Sequence, residues 1–222
     1  MKKLGFLAAL FFAGTFSFAQ NILTAAEFFR SVSENYGTIK DYEADIGIKI
    51  NKQNMEGRVS FKRPEMLRID FSNPENQVIL FNGDDLVIYL PGSSAILEQS
   101  VNSSGGAGAN MATPQGLNLL NRLYTISYES GQSAVPLDEG SDENVVVLLL
   151  RNKVATEEFK KIRLCINPNT KLIRRVEATT GNAVVYSFDF TNYKINSDIS
   201  DQRFMYDPPS SANNYKNFLF SE

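Results

Sequence analysis

The chain has 222 residues, a formal net charge of −3, one cysteine, and neither histidine nor tryptophan. That length suits one all-β domain, which would bury about 70% of the surface its unfolded chain exposes. The lack of histidine excludes Ser–His–Asp and Cys–His catalysis and most zinc chemistry, and the acidic balance argues against a nucleic-acid partner.

Residues 1–19 read as a secretory signal. Lys2-Lys3 is the charged region, Leu4–Phe16 is an apolar run too short to span a bilayer, and Ser17-Phe18-Ala19 offers small residues for cleavage before Gln20. Losing the two lysines takes the formal charge from −3 to −5. Gln, not Cys, follows the cut, so no lipid anchor is expected there. The expected product is an exported single domain, residues 20–222.

Thr24-Ala25-Ala26-Glu27 is a capping-box pattern, and it predicts a helix over about Ala25–Asn35. Phe28, Phe29, Val32 and Tyr36 form its apolar side, and Gly37 marks its end. From Tyr42 the period becomes two: Tyr42, Ala44, Ile46, Ile48 and Ile50 alternate with polar residues, and Met55–Lys62 does the same. The stretch from Val59 to Pro91 then supplies Leu67, Ile69 and Phe71, a turn at Asn73-Pro74, Gln77–Phe81, a turn at Asn82–Asp85, and Leu86–Leu90. Lys62-Arg63-Pro64 is a basic pair at the bend where a proline ends strand pairing. Short connections between these strands, and on to Ala95–Gln99, predict an antiparallel meander.

Val101–Thr113, rich in Gly, Ser, Asn and Ala, has a loop composition. Thr113-Pro114 opens a second helix, with Thr as cap and Pro in the first turn. Leu117, Leu119, Leu120 and Leu123 on it suit either a flap over a sheet or a fixed core helix. Strands resume near Ile126. Val145–Leu150, apolar on both faces, predicts a central strand. Phe159–Asn167 and Lys171–Thr179 form a hairpin around Pro168-Asn169, Val184–Lys194 follows, and Arg203–Tyr206 reads as a last short strand. Cys165, among Ile162, Leu164 and Ile166, reads as a packed thiol. About eleven strands and a few short helices predict a mainly β (α+β) fold, a strongly curved antiparallel sheet or barrel.

With these residues in view, the chain resembles the outer-membrane lipoprotein carrier family, LolA. The resemblance rests on Phe61-Lys62-Arg63-Pro64 followed by Leu67, Ile69 and Phe71, on Ile79–Tyr89 with its Asn82-Gly83-Asp84-Asp85 turn, on the helix at Pro114–Leu123, and on Phe204-Met205-Tyr206-Asp207-Pro208-Pro209. It implies an unclosed β-barrel with short helices forming a lid over an apolar cavity that holds lipoprotein acyl chains in the periplasm. An inner-membrane ABC-type transporter would load it and an outer-membrane acceptor unload it. It also implies that Arg63 hydrogen-bonds lid backbone and keeps the cavity shut. The sequence departs from the family in having no tryptophan, with Ile69 at a position the family often gives to one, and in a longer Ser/Gly-rich loop.

Burying acyl chains contributes about 0.8 kcal/mol per CH₂, on the order of 10 kcal/mol per chain. A carrier therefore needs a closed empty state whose contacts are lost on loading. The expected cavity lining is Leu67, Ile69, Phe71, Ile79, Phe81, Ile88, Leu117, Leu120 and Leu123, with Arg63 as latch; the alternative for the apolar set is ordinary core, and for Arg63 a solvated charge. No cofactor or metal and a monomeric shuttle are expected. Two other classes stand beside the carrier: an envelope-stress sensor of the same fold that binds lipid or peptide without transporting it, and a hydrolase using Asp84 and Asp85. Adjacent strand residues point to opposite faces, so that pair could converge only if it lay in the turn; with no nucleophile–base set and no metal-ligand cluster in the sequence, no enzymatic activity is expected.

Overall fold

A computed structural model describes residues 23–100 and 113–218. The expected signal segment, its cleavage site and most of the Ser/Gly-rich loop lie outside the described residues. Helix α1 (Ala25–Thr38) is followed by β1 (Asp41–Ile50), β2 (Gln53–Lys62), β3 (Met66–Asn73), β4 (Val78–Phe81), β5 (Asp85–Leu90) and β6 (Ala95–Ser100). Helix α2 (Pro114–Leu123) runs directly into β7 (Tyr124–Tyr128), and then come β8 (Val135–Pro136), β9 (Asn144–Asn152), β10 (Phe159–Ile166), β11 (Ile173–Thr180), β12 (Val185–Ile195) and β13 (Asn213–Lys216). The strands form one sheet in the order β13-β6-β5-β4-β3-β2-β1-β12-β11-β10-β9-β7, with β8 beside β9. Pairing of β1 with β12 joins the first meander to the second. The two outer strands, β13 and β7, do not pair with each other, so the barrel is unclosed, and α2 leads directly into the β7 edge.

The capping box forms as the sequence predicts: Glu27 N donates to Thr24 Oγ1 at 3.2 Å, and Thr24 N to Glu27 Oε2 at 2.9 Å. α1 continues almost one turn past the expected end, with Gly37 inside its last turn and Ile39 at the cap. It presses Phe29, Val32 and Tyr36 into the main apolar cluster. A polar tie sits at the bottom of that cluster: Ile173 N donates to the Tyr36 hydroxyl at 3.0 Å, and the Tyr193 hydroxyl donates to Ile173 O at 2.9 Å. Burial pushes the Tyr36 hydroxyl up to about 12, so it stays a neutral donor and acceptor. α1 is therefore fixed to the sheet by both packing and hydrogen bonds.

Side chains that pair across strands share a face, and the register assigns the inner one. Tyr42 opposes Phe61, Ala44 opposes Val59, Phe61 opposes Leu67, and Val59 opposes Ile69. In the second half Val176 opposes Phe188, and Leu164 opposes both Val176 and Leu148. At the β2 bulge, Gly57 faces Phe71. A Cβ there would collide with the carbonyl oxygen of Asp70 and lie 2.9 Å from Phe71 Cα, so the close approach of β2 and β3 requires glycine.

Two sequence expectations need correction. Val145–Leu150 lies in β9, one strand from the edge formed by β7. It is apolar on both faces because the segment leading into it folds over the outside, where Leu137 packs on Val145, Val147 and Cys165. Burial there pushes the Cys165 thiol up to about 11 and keeps it neutral. Arg203–Tyr206 is not a strand: Asp201–Phe204 is a 3₁₀ turn capped by Ser200, and the last described strand is β13, parallel to β6. The turn drives Phe204 onto Val78 and Leu80, forming a second apolar cluster on the outer face. Burial raises the Asp70 carboxyl, but hydrogen bonds and charge from Arg68 and Arg203 outweigh it and hold the group below its ordinary value. Arg68 also stacks over Tyr206, 5.4 Å from the ring centre. These contacts bind the tail to the outside of β3.

Candidate functional site: the apolar inner face and its helices

The inner face has two unlike halves. Beneath α1, Leu148, Leu150, Ile162 and Leu164 are fully buried, so that half is solid core. Across β3 to β6, Leu67 and Phe71 are buried but Ile69, Ile79, Phe81, Leu86, Ile88 and Leu97 are only half-buried. Register aligns this half: Leu67 opposes Phe81, Ile69 opposes Ile79, Ile79 opposes Ile88, and Ile88 opposes Leu97. All six expected sheet residues thus point to one side.

The α2 leucines meet that surface. Thr113 Oγ1 accepts from Gly116 N at 3.1 Å and starts the helix, and Pro114 fits its first turn. Leu117 is 0% and Leu120 5% exposed, both in the apolar cluster that contains Leu67 and Phe71. Ile69, Ile79 and Leu123 pack against the same cluster, half-buried. Phe81 and Ile88 lie farther along the face, outside that cluster. Leu86 and Leu97 complete the strip. Sequence reasoning passed over Leu86, which alternation puts on the face of Ile88, and missed Leu97, whose side is fixed only by its pairing with Ile88.

The Lys62-Arg63-Pro64 bend is where three elements converge. Arg63 Nη2 donates to Tyr36 O at 3.3 Å and to Gly37 O, so its charge sits on the last carbonyls of α1. A cation there complements the negative end of the helix dipole. The family resemblance put this grip on lid backbone, and the helix it holds is α1. The helix over Pro114–Leu123 is tied at the next residue, where Gln115 Nε2 donates to Pro64 O at 2.8 Å. Lys62 Nζ donates to Ile199 O at 2.7 Å and pairs with Asp201 of the tail. At its other end α2 is held by Lys153, whose Nζ donates to Asn121 O at 3.1 Å and Arg122 O at 3.2 Å.

Other concavities have a different chemistry. A groove of about 700 Å³ follows β12, β1, β2 and β3, lined mostly by outward residues such as Asp45, Glu56, Arg58, Asp70 and Asp189. That charged lining opposes an acyl chain; among the expected lining residues it includes Phe71 alone. Asp84 and Asp85 serve a turn, their N–H groups donating to Asn82 Oδ1 at 3.0 and 2.8 Å. Among the described residues no group of three or more His, Cys, Asp or Glu is placed to hold a metal ion.

An unclosed, mainly antiparallel barrel with short helices over an apolar inner face, part of it only half-buried, defines the class of unclosed β-barrels with a helical cover. The family profile described as "Outer membrane lipoprotein carrier protein LolA" matches residues 47–207, and the chain belongs to this family. An outer-membrane lipoprotein carrier protein of Francisella tularensis subsp. tularensis is 24% identical over 163 residues, covering 73% of this chain and 72% of that protein. In structure, an uncharacterized conserved protein from Thermus thermophilus superposes with a TM-score of 0.58 at 14% identity, over 86% of this chain and 98% of that one. A chain of the Pseudomonas aeruginosa MucA/MucB complex superposes with a TM-score of 0.52 at 10% identity, over 85% of this chain and 62% of that one. At such identities the two structures speak for the fold alone.

Proposed function

We propose that this protein is a periplasmic carrier that shields lipoprotein acyl chains on their way from the inner to the outer membrane. An inner-membrane ABC-type transporter would load it and an outer-membrane acceptor would unload it. The observation that supports this reading is the half-buried strip Ile69, Ile79, Phe81, Leu86, Ile88 and Leu97, continuous with the buried leucines of α2. A sheet face serving only as core would be covered as fully as the half beneath α1. Covering this strip with acyl chain contributes on the order of 10 kcal/mol per chain, and Leu117 and Leu120 oppose it by holding α2 down in the empty state. Arg63 contributes by fixing α1, the rigid neighbour against which α2 closes.

Native mass spectrometry of the exported form, with solvent extraction, tests the reading. Bound lipid or acylated peptide is the expected result. An empty protein that also fails to take up a fluorescent acyl probe overturns it. A stable one-to-one complex with a membrane-bound regulator, without transfer of cargo, would instead favour the stress-sensor reading.

A further inference from the structure

The two ends of the barrel differ in chemistry. α1 crosses the end where β2 finishes and β11 begins, as the Arg63 and Ile173 contacts require. The opposite end is made by the β1–β2 turn at 51–52, the β9–β10 loop at 153–158, the β11–β12 turn at 181–184 and the last turn of α2. Ile50 opposes Tyr186 there, and a Cβ on Gly181 would lie 3.3 Å from Lys160 Cε, so these turns are neighbours. Inner-facing Ile50, Met55, Phe159 and Tyr186 are half-buried at this rim, and the rings of the last two meet edge-on at 5.7 Å. Part of the apolar interior is therefore left uncovered here.

The rim is also apolar at its tips and basic around them. Val154, in the β9–β10 loop, is 46% exposed and Val185, the first residue of β12, 44%, both at this end. Lys49, Lys52, Arg122, Arg151 and Lys161 are exposed around them, with the Lys153 ammonium held on the α2 carbonyls, against the exposed Glu56, Glu75 and Glu158 and the half-buried Glu157. This excess of cations stands on a chain whose formal charge is −3. At the α1 end the connection into β9 carries Asp138, Glu139, Asp142 and Glu143. Asp138 pairs there with Arg175 and Glu143 with Arg174, so Glu139 and Asp142 are the carboxylates left to face solvent.

We propose that this basic, valine-tipped end docks on an anionic phospholipid bilayer. Lysine and arginine heads would meet lipid phosphates while the two valines enter the interface. The charge complementarity selects an anionic surface. Docking goes beyond the carrier reading and is tested separately from it: vesicle binding by the empty protein reads the surface, and probe uptake reads the interior.

The experiment is flotation of the purified exported protein, its mass recorded to define its N-terminus, with protein-free vesicles of phosphatidylcholine alone or mixed equally with phosphatidylglycerol. The expected result is binding to the anionic vesicles only, weakening as salt rises. Each lysine lost should lower partitioning roughly fivefold, so Lys49→Glu with Lys52→Glu should reduce it by at least about twentyfold. Val154→Asp should reduce it further. The pair Arg30→Glu and Lys40→Glu at the α1 end should leave binding unchanged, and circular dichroism of each variant establishes that it is folded. Three results would overturn the proposal: no binding to anionic vesicles at low salt, equal loss from the α1-end pair, or binding only to vesicles that carry envelope proteins.

Discussion

Replacing Leu117 by alanine separates a displaceable helix from a fixed one. Leu117 is 0% exposed at the centre of α2 and belongs to the main apolar cluster. Truncating a leucine so placed costs about 2–5 kcal/mol from lost transfer energy and residual cavity. At about 3 kcal/mol, the melting temperature of a chain this size should fall by roughly 6–12 °C. If acyl chains enter by displacing α2, the same loss makes opening easier. With about half of the Leu117 contacts broken on opening, the gain is about 1.5 kcal/mol, or roughly tenfold tighter binding. The assay pairs thermal unfolding with titration of a fluorescent acyl probe. Leu148→Ala is the control: Leu148 is also 0% exposed but lies in β9, in the filled half. It should lower the melting temperature similarly without tightening probe binding. A fall in stability with unchanged or weaker probe affinity for Leu117→Ala would refute the displaceable-helix argument and make α2 ordinary core.

Ile88→Asp should leave the fold nearly intact, since Ile88 is only half-buried, yet weaken probe binding by roughly fiftyfold because a carboxylate would have to be desolvated against the acyl chain; unchanged affinity would place the cargo elsewhere. Arg63→Leu removes donors to the Tyr36 and Gly37 carbonyls, a loss of about 1 kcal/mol after discounting for solvent. Faster amide exchange over residues 34–39 and altered release of bound probe are expected, and if both stay as in the parent, Arg63 is no latch. Asp70 carries a pH prediction. Its folded pKa lies below the ordinary 3.8, so its contribution is present above the unfolded value and is lost as pH falls through the folded one. The stability difference between the parent and Asp70→Asn should shrink as pH drops from about 5 to 2; a difference constant across that window would mean Arg68 and Arg203 do not act through this carboxylate.

Much of the candidate site was legible because strand alternation reports which residues share a face. Leu67, Ile69 and Phe71 had to lie together, as did Ile79 with Phe81, whatever covered them. Which side was concave was not legible, since a period of two reads the same from either face. Leu97, on another strand, was missed because only pairing with Ile88 fixes its side, whereas Leu86 shares the face of Ile88 by alternation and was passed over. The partner of Arg63 was equally hidden: both helices have exposed C-terminal carbonyls, and only the path of the chain brings those of α1 to the bend. Val145–Leu150 read as central because covering by a strand-flanking loop and covering by a helix leave the same apolar pattern.

By itself the sequence determined the local structure: the Thr24–Glu27 capping box, the turns at Asn73-Pro74 and Asn82–Asp85, the helix start at Thr113-Pro114, and the antiparallel meander. These depend on neighbours a few residues apart, whose geometry and hydrogen bonding the residue types dictate. The tertiary structure decided the rest. Pairing of β1 with β12 joins residues far apart in the chain, folding of the tail across β3 creates a second core outside the sheet, and α1 crosses one end of the barrel and not the other. Each depends on distant segments finding a shared apolar surface, and a pattern read along one segment carries no record of its distant partner.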